Sequence, residues 1–185
     1  MDHNTVALGV ILLIVLIAVV AIAIFAARKR RSRQLRERFG PEYDRVLRQE
    51  GDVRKAEGVL AFRQERREKF RLRPLSPADR SNFAAEWNDV QSQFVDDPKG
   101  AVTQADELVG RVMRARGYPM GEFEQRAADI SVDYPEVVEN YRGAHEIALR
   151  HSRGQASTED LRKAMVYYRT LFEQLLVENQ LRKGA

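Results

Sequence analysis

Residues Val6 to Ala27 read VALGVILLIVLIAVVAIAIFAA, 22 consecutive positions without a charged or polar side chain. At about 1.5 Å of helical rise per residue, the run spans roughly 33 Å, against a hydrocarbon core of about 30 Å. In lipid only a helix or a closed barrel satisfies its own backbone, and one isolated run cannot close a barrel. The stretch therefore predicts a transmembrane helix over residues 6–27. A cleaved signal peptide would open on a basic segment and carry a shorter apolar core. Here the run is preceded by MDHNT, which holds Asp2 and no Lys or Arg.

The chain continues as RKRRSRQLRER. Seven bases (Arg28, Lys29, Arg30, Arg31, Arg33, Arg36 and Arg38) stand against Glu37. Cytoplasmic flanks carry such an excess of Lys and Arg, so residues 1–5 are expected outside and everything after residue 27 in the cytoplasm. The expected location is an inner (plasma) membrane crossed once, with the bilayer as one partner.

The formal net charge of +4 at pH 7 is unevenly spread. Residues 28–38 carry +6 and residues 39–73 carry +3, whereas residues 74–185 carry −4. An acidic distal domain is repelled by nucleic acid, so no nucleic-acid partner is expected. Basicity beside an apolar helix fits an anionic lipid surface, with topology as its simplest role. The absence of cysteine excludes disulfides, a thiol nucleophile and cysteine-ligated metals.

Beyond the basic segment, Phe39-Gly40-Pro41 interrupts the helix, and Pro41 suits the first turn of a new one over residues 41–50. Tyr43, Val46 and Leu47 share a face of that helix. Gly51 ends it, and Asp52 can cap a charge-rich helix to about Leu72. Val53, Ala56, Val59, Leu60, Phe62 and Phe70 give that helix only a broken apolar stripe. Residues 39–73 thus read as a solvated arm, with weak self-association as its one packing role.

Arg73-Pro74-Leu75-Ser76-Pro77 opens a distal domain over residues 74–178. Ser76 is an N-cap, Pro77 fits the first helical position, and Phe83, Trp87, Val90 and Phe94 recur at spacings of 4, 3 and 4. After Asp97-Pro98, Val102, Ala105, Leu108, Val109, Val112 and Met113 define a second stripe, ended by Gly117. A short helix over residues 120–128 turns Phe123 and Ala127 inward. Another runs from Pro135 to His151 with Val137 or Val138, Tyr141, Ile147 and Ala148 inside. Ser157 and Asp160 form a capping box for a last helix bearing Leu161, Ala164, Met165, Tyr168, Phe172, Leu175 and Leu176. No segment alternates with period two. The expected fold is all-α: a transmembrane helix, a charged arm helix and an antiparallel bundle of about four helices, with a frayed tail at residues 179–185.

Chemistry-bearing patterns are sparse. His145 and His151 lie six apart, on different helix faces, unlike a chelating i, i+4 pair. No HExxH, GxGxxG, P-loop or G-x-S-x-G pattern occurs. Carboxylates at Asp96, Asp97, Asp106 and Asp133 leave a divalent-metal hydrolase as an alternative, although Glu-x-x-His pairs are missing and Asp106-Glu107 reads as a solvated face. No catalytic residue, metal ligand or cofactor is assigned. Arg116-Gly117-Tyr118-Pro119 and Ser131, Asp133, Tyr134 and Pro135 are unusually dense in special residues. Arg116, Tyr118, Pro119, Asp133 and Tyr134 are therefore the candidate interaction surface, although turns and caps need the same residues.

The run Phe39-Gly40-Pro41-Glu42-Tyr43-Asp44 after a basic anchor, then Arg73-Pro74-Leu75, Phe94-Val95-Asp96-Asp97-Pro98, Arg116-Gly117-Tyr118-Pro119, Ser131-Val132-Asp133 and Leu161-Arg162-Lys163-Ala164, resembles a family of uncharacterised bacterial, mainly actinobacterial, single-pass membrane proteins. The resemblance covers most of the chain from Phe39 to Leu176. It implies the boundaries drawn above and supplies no catalytic residue. Proteins of that family often carry the label "secreted", which the flanking charges of this chain oppose. The functional expectation is a membrane-tethered cytoplasmic adaptor that binds another protein. The alternatives are the metal hydrolase and an organiser of anionic lipid or envelope acting through Arg28–Arg38.

Overall fold

The computed structural model describes the backbone of residues 3–177 and the side chains of residues 12–177. Eight α-helices and no strand occur among the described residues: α1 (His3–Phe39), α2 (Pro41–Glu50), α3 (Val53–Glu68), α4 (Pro77–Gln93), α5 (Pro98–Ala115), α6 (Phe123–Ile130), α7 (Val138–Ser152) and α8 (Thr158–Leu176). The fold is all-α. The frayed tail expected at residues 179–185, and Met1 and Asp2 of the expected outer segment, lie outside the described residues.

The chain divides into two compact units, one ending at Arg38 and one beginning at Phe39. The first is α1, a single helix that carries the apolar run onward into the basic segment without interruption. It is long and apolar enough to cross a membrane, and its large apolar side chains from Leu12 to Phe25 are solvent-facing, from 48% exposure at Ile24 to 70% at Phe25. The seven bases follow one another around the whole helix at about 100° per residue, so they form a collar rather than a stripe.

In the second unit the starts and stops follow local chemistry. Asp52, Ser76, Asp97 and Ser157 each accept a backbone N–H from three residues on. Ser157 and Asp160 close the expected capping box. At α2 the turn at either end is made by glycine with positive φ, Gly40 at 46° and Gly51 at 67°. Gly117 is doubly constrained. Its φ is 91°, and a Cβ there would sit 2.6 Å from the Arg71 carbonyl oxygen.

The core is one cluster built from α4, α5, α7 and α8 with Ala127 and Ile130 of α6. The stripes read from the sequence on α5 and α8 are buried, from Val102 to Met113 and from Leu161 to Leu175. Trp87 of α4 stacks on Phe172 of α8 at 4.7 Å between ring centres. Helices consecutive in the chain run antiparallel in the pairs α4/α5 and α7/α8, whereas α5 and α8 run parallel, with Asp106 beside Tyr168 and Arg116 at the Leu175 carbonyl. Arg150 pairs with Asp160 and Gly143 lies against Tyr167 between α7 and α8, while Glu86 pairs with Arg111 between α4 and α5.

Residues 39–73 differ from the solvated arm expected of them, because they lie in the same compact unit as the bundle. α2 and α3 form an antiparallel hairpin, with Tyr43 donating to Glu57 at 3.0 Å. Phe39, Tyr43, Val46, Ala56 and Leu60 are buried, yet none belongs to the main core cluster. The hairpin therefore has its own small core. The expectation failed because α3 meets the bundle through arginines, which an apolar-periodicity argument counts as solvent-facing.

Candidate functional site

Two turns, after α5 and after α6, are drawn together by one hydrogen bond. The Tyr118 hydroxyl donates to Asp133 Oδ2 at 2.7 Å. Asp133 also accepts from Arg67 Nε of α3, at 2.8 and 3.0 Å to its two oxygens. One turn earlier, Asp129 accepts from Arg66 Nε at 2.8 Å and from Gln125 at 2.8 Å. Arg63 donates to Ser131 Oγ at 3.3 Å. Three arginines on one side of α3 thus seat it on the end of α6 and the turn that follows.

Four of the five residues expected to form an interaction surface are therefore assembled, but as an interior joint. Arg116, Tyr118 and Tyr134 are buried at 4%, 3% and 5% exposure, and the Asp133 side chain is 17% exposed beneath Arg67. Pro119 is half-buried. Arg116 donates to the Leu175 carbonyl at 2.8 Å and so closes the end of α8. Burial, then the Asp133 charge, push the Tyr118 hydroxyl far above its ordinary ionisation range, so it remains a proton donor to that carboxylate. These residues, expected to be free to meet a partner, are engaged by the chain itself: Asp133 by Arg67 of α3, Tyr118 by the ring of Phe70, and Arg116 by the Arg73 backbone N–H and the end of α8.

Glu42 was not singled out by the sequence, yet its side chain is fully buried. Its Oε1 accepts from Arg63 Nη1 at 2.6 Å and from Arg142 Nη2 at 3.1 Å, and Oε2 accepts from Arg142 Nη1 at 3.0 Å. Arg45 lies 3.7 Å away on the same helix. One carboxylate thus joins α2, α3 and α7. The only sequence signal was an acid beside Tyr43, on the face that had to turn inward.

A second polar group sits between α5, α6, α7 and α8. Tyr168 and Tyr141 are fully or nearly fully buried, beside Asp106 and Arg126. Burial, then Asp106, raise the Tyr168 hydroxyl above its ordinary range. Burial alone is the largest cause for Tyr141. His145 stacks on Phe123 at 3.5 Å between ring centres, and burial lowers its affinity for a proton. Asp106 is half-buried, with its Oδ1 enclosed, rather than on the solvated face expected for it. His151 stands apart, one and a half turns further along α7.

The acids considered for a metal do not converge. Asp97 caps α5, Asp96 is exposed in the preceding turn, Asp133 is engaged by Arg67 and Tyr118, and Asp106 faces tyrosine. No group of three His, Asp or Glu side chains with metal-ligating geometry occurs among the described residues. No protein-family model matches the chain, and neither the curated proteins nor the solved structures contain a match to it.

Proposed function

We propose that the protein is a membrane-tethered helical module that acts by binding another protein, with the bundle on the cytoplasmic side of a bacterial inner membrane. The observation that carries this reading is α1, a helix whose apolar side chains are exposed along the whole described span from Leu12 to Phe25. Such a surface is stable in lipid and costly in water, at about 25 cal/mol per Å². The basic collar directly after it supports the cytoplasmic side for the bundle. Tethering confines the bundle to a surface and raises its effective concentration toward any membrane-bound partner.

The covered turn end moves the expected contact to the outward helix faces. Large exposed apolar residues outside α1 are few among the described residues, Phe62, Val95 and Val166 among them, so recognition is expected to be largely polar. No observation favours the hydrolase alternative. The collar arrangement of Arg28–Arg38 supports a topological role over a directed lipid-binding face.

Because the chain lacks cysteine, orientation is testable with one introduced thiol. Glu107→Cys should be inert to a membrane-impermeant maleimide in intact cells and react after permeabilisation, and labelling of intact cells would refute the orientation. For the adaptor role, the full chain should capture from membranes a partner that an anchor of residues 1–38 alone does not. Identical captures by both would refute it.

A further inference from the structure

The cluster around Glu42 is out of electrical balance. Arg45, Arg63 and Arg142, on three different helices, converge on one carboxylate, and their side chains are 20%, 12% and 8% exposed. Each guanidinium carries five N–H donors, far more in sum than a carboxylate can accept. Glu42 is saturated by Arg63 and by both Nη atoms of Arg142. Arg45 reaches it only at 3.7 Å and is otherwise engaged by Gln49 at 3.3 Å and by Glu139 at 3.7 Å. Arg142 is more than nine-tenths buried, and its Nε finds no acceptor. The carboxylates that remain nearby, Glu139 and Glu124, are exposed at the rim, Glu139 at 68%. The enclosed part of the cluster therefore holds three positive charges against one negative.

Burying uncompensated like charge is expensive, and the chain's own chemistry shows the strain. Burial first, and Arg45 and Arg63 next among the opposing effects, lower the proton affinity of Arg142 in spite of Glu42. The Ser131 hydroxyl, fully buried, adds a polar group at the same place through Arg63. A phosphoryl group at pH 7 carries about −1.5 to −2 charges and three oxygens that take bidentate guanidinium bonds. Its charge equals the local excess, and its geometry suits arginine better than chloride does.

We propose that Arg45, Arg63 and Arg142 form a binding site for a phosphate or phosphomonoester dianion, with Arg45 as the arm that leaves Glu139 to close on it. Glu42 holds Arg63 and Arg142 in position, and Arg45 is the least buried of the three and the one not hydrogen-bonded to Glu42. The site does not depend on the adaptor reading. Its ligand can be a soluble phosphate or a lipid headgroup, since both present the same chemistry.

The test uses the full chain in neutral detergent micelles, titrated by calorimetry with inorganic phosphate against chloride at matched ionic strength. Saturable binding of phosphate alone is expected. Arg45→Gln, which leaves every hydrogen bond to Glu42 in place, should weaken it about tenfold, the worth of one charge-assisted hydrogen bond. Glu139→Gln should tighten it severalfold by removing the acid that competes for Arg45, a gain that a purely structural salt-bridge cluster would not give. Phosphate binding no better than chloride, an unchanged affinity in Arg45→Gln, or no gain in Glu139→Gln would each overturn the proposal. Vesicles of phosphatidylcholine with and without phosphatidic acid then separate the sources. Loss of the phosphate signal only with phosphatidic acid assigns a headgroup, and an unaffected signal assigns a soluble phosphate.

Discussion

Glu42 illustrates how a single side chain can hold a unit together without contributing much as a pair. Exchanging a buried ion pair for apolar groups is often neutral, but removing one partner alone strands the others. Glu42→Ala would leave Arg63 and Arg142 without the acceptor that now takes their hydrogen bonds. It should lower unfolding free energy by about 3–5 kcal/mol. Asp44→Ala, at an exposed position on the same helix, should change it by less than about 0.5 kcal/mol. Urea denaturation of the two variants side by side measures the difference. The sequence foretold the capping residues, because Ser, Asp and Pro at helix starts act locally. It did not foretell Glu42, whose burial depends on an arginine 100 positions away in the chain.

At the scale of elements, α8 is the helix whose start the sequence announced most fully and α3 the least expected in its packing. The box of Ser157 and Asp160 satisfies the first turn of α8, and the Ser157 backbone N–H, its hydroxyl and Arg150, in that order, hold the Asp160 carboxyl down at about 2. Ser157→Ala should cost about 1 kcal/mol, while Ser157→Asp should retain most of the cap. Thermal melts followed by circular dichroism distinguish the two. For α3, stripes of apolar residues led to α5 and α8 correctly and failed here, because Arg63, Arg66 and Arg67 are what α3 turns toward the bundle. Charge reversal tests that seam. Arg67→Asp and Asp133→Arg should each raise amide exchange in residues 53–68, and the double variant should restore protection toward the original level. Equal exchange in single and double variants would mean the pair does not hold the hairpin.

The whole molecule should show a broad pH plateau bounded by one half-buried histidine and a set of buried tyrosines. His145 binds protons more weakly folded than unfolded, so its contribution is intact above its ordinary value of about 6.5 and is lost as pH falls below it. Tyr118, Tyr134, Tyr141 and Tyr168 all ionise at higher pH folded than unfolded. Their contribution is intact below about 10 and is lost as pH rises beyond it, when only the unfolded chain can shed those protons. Urea midpoints should therefore be flat between about pH 7 and 9.5 and fall on both sides. Tyr168→Phe should flatten the alkaline limb and His145→Gln the acid limb.

The chain has one tryptophan, and that ring lies flat on Phe172 at 5% exposure, where α4 meets α8. Its emission is consequently an optical gauge of that single joint, with no second fluorophore of its kind to confuse it. Freeing the α2–α3 hairpin would leave the emission wavelength in place, whereas parting α4 from α8 would shift it to the red. Colour thus separates loosening of the hairpin from melting of the bundle, in the intact protein and without any label.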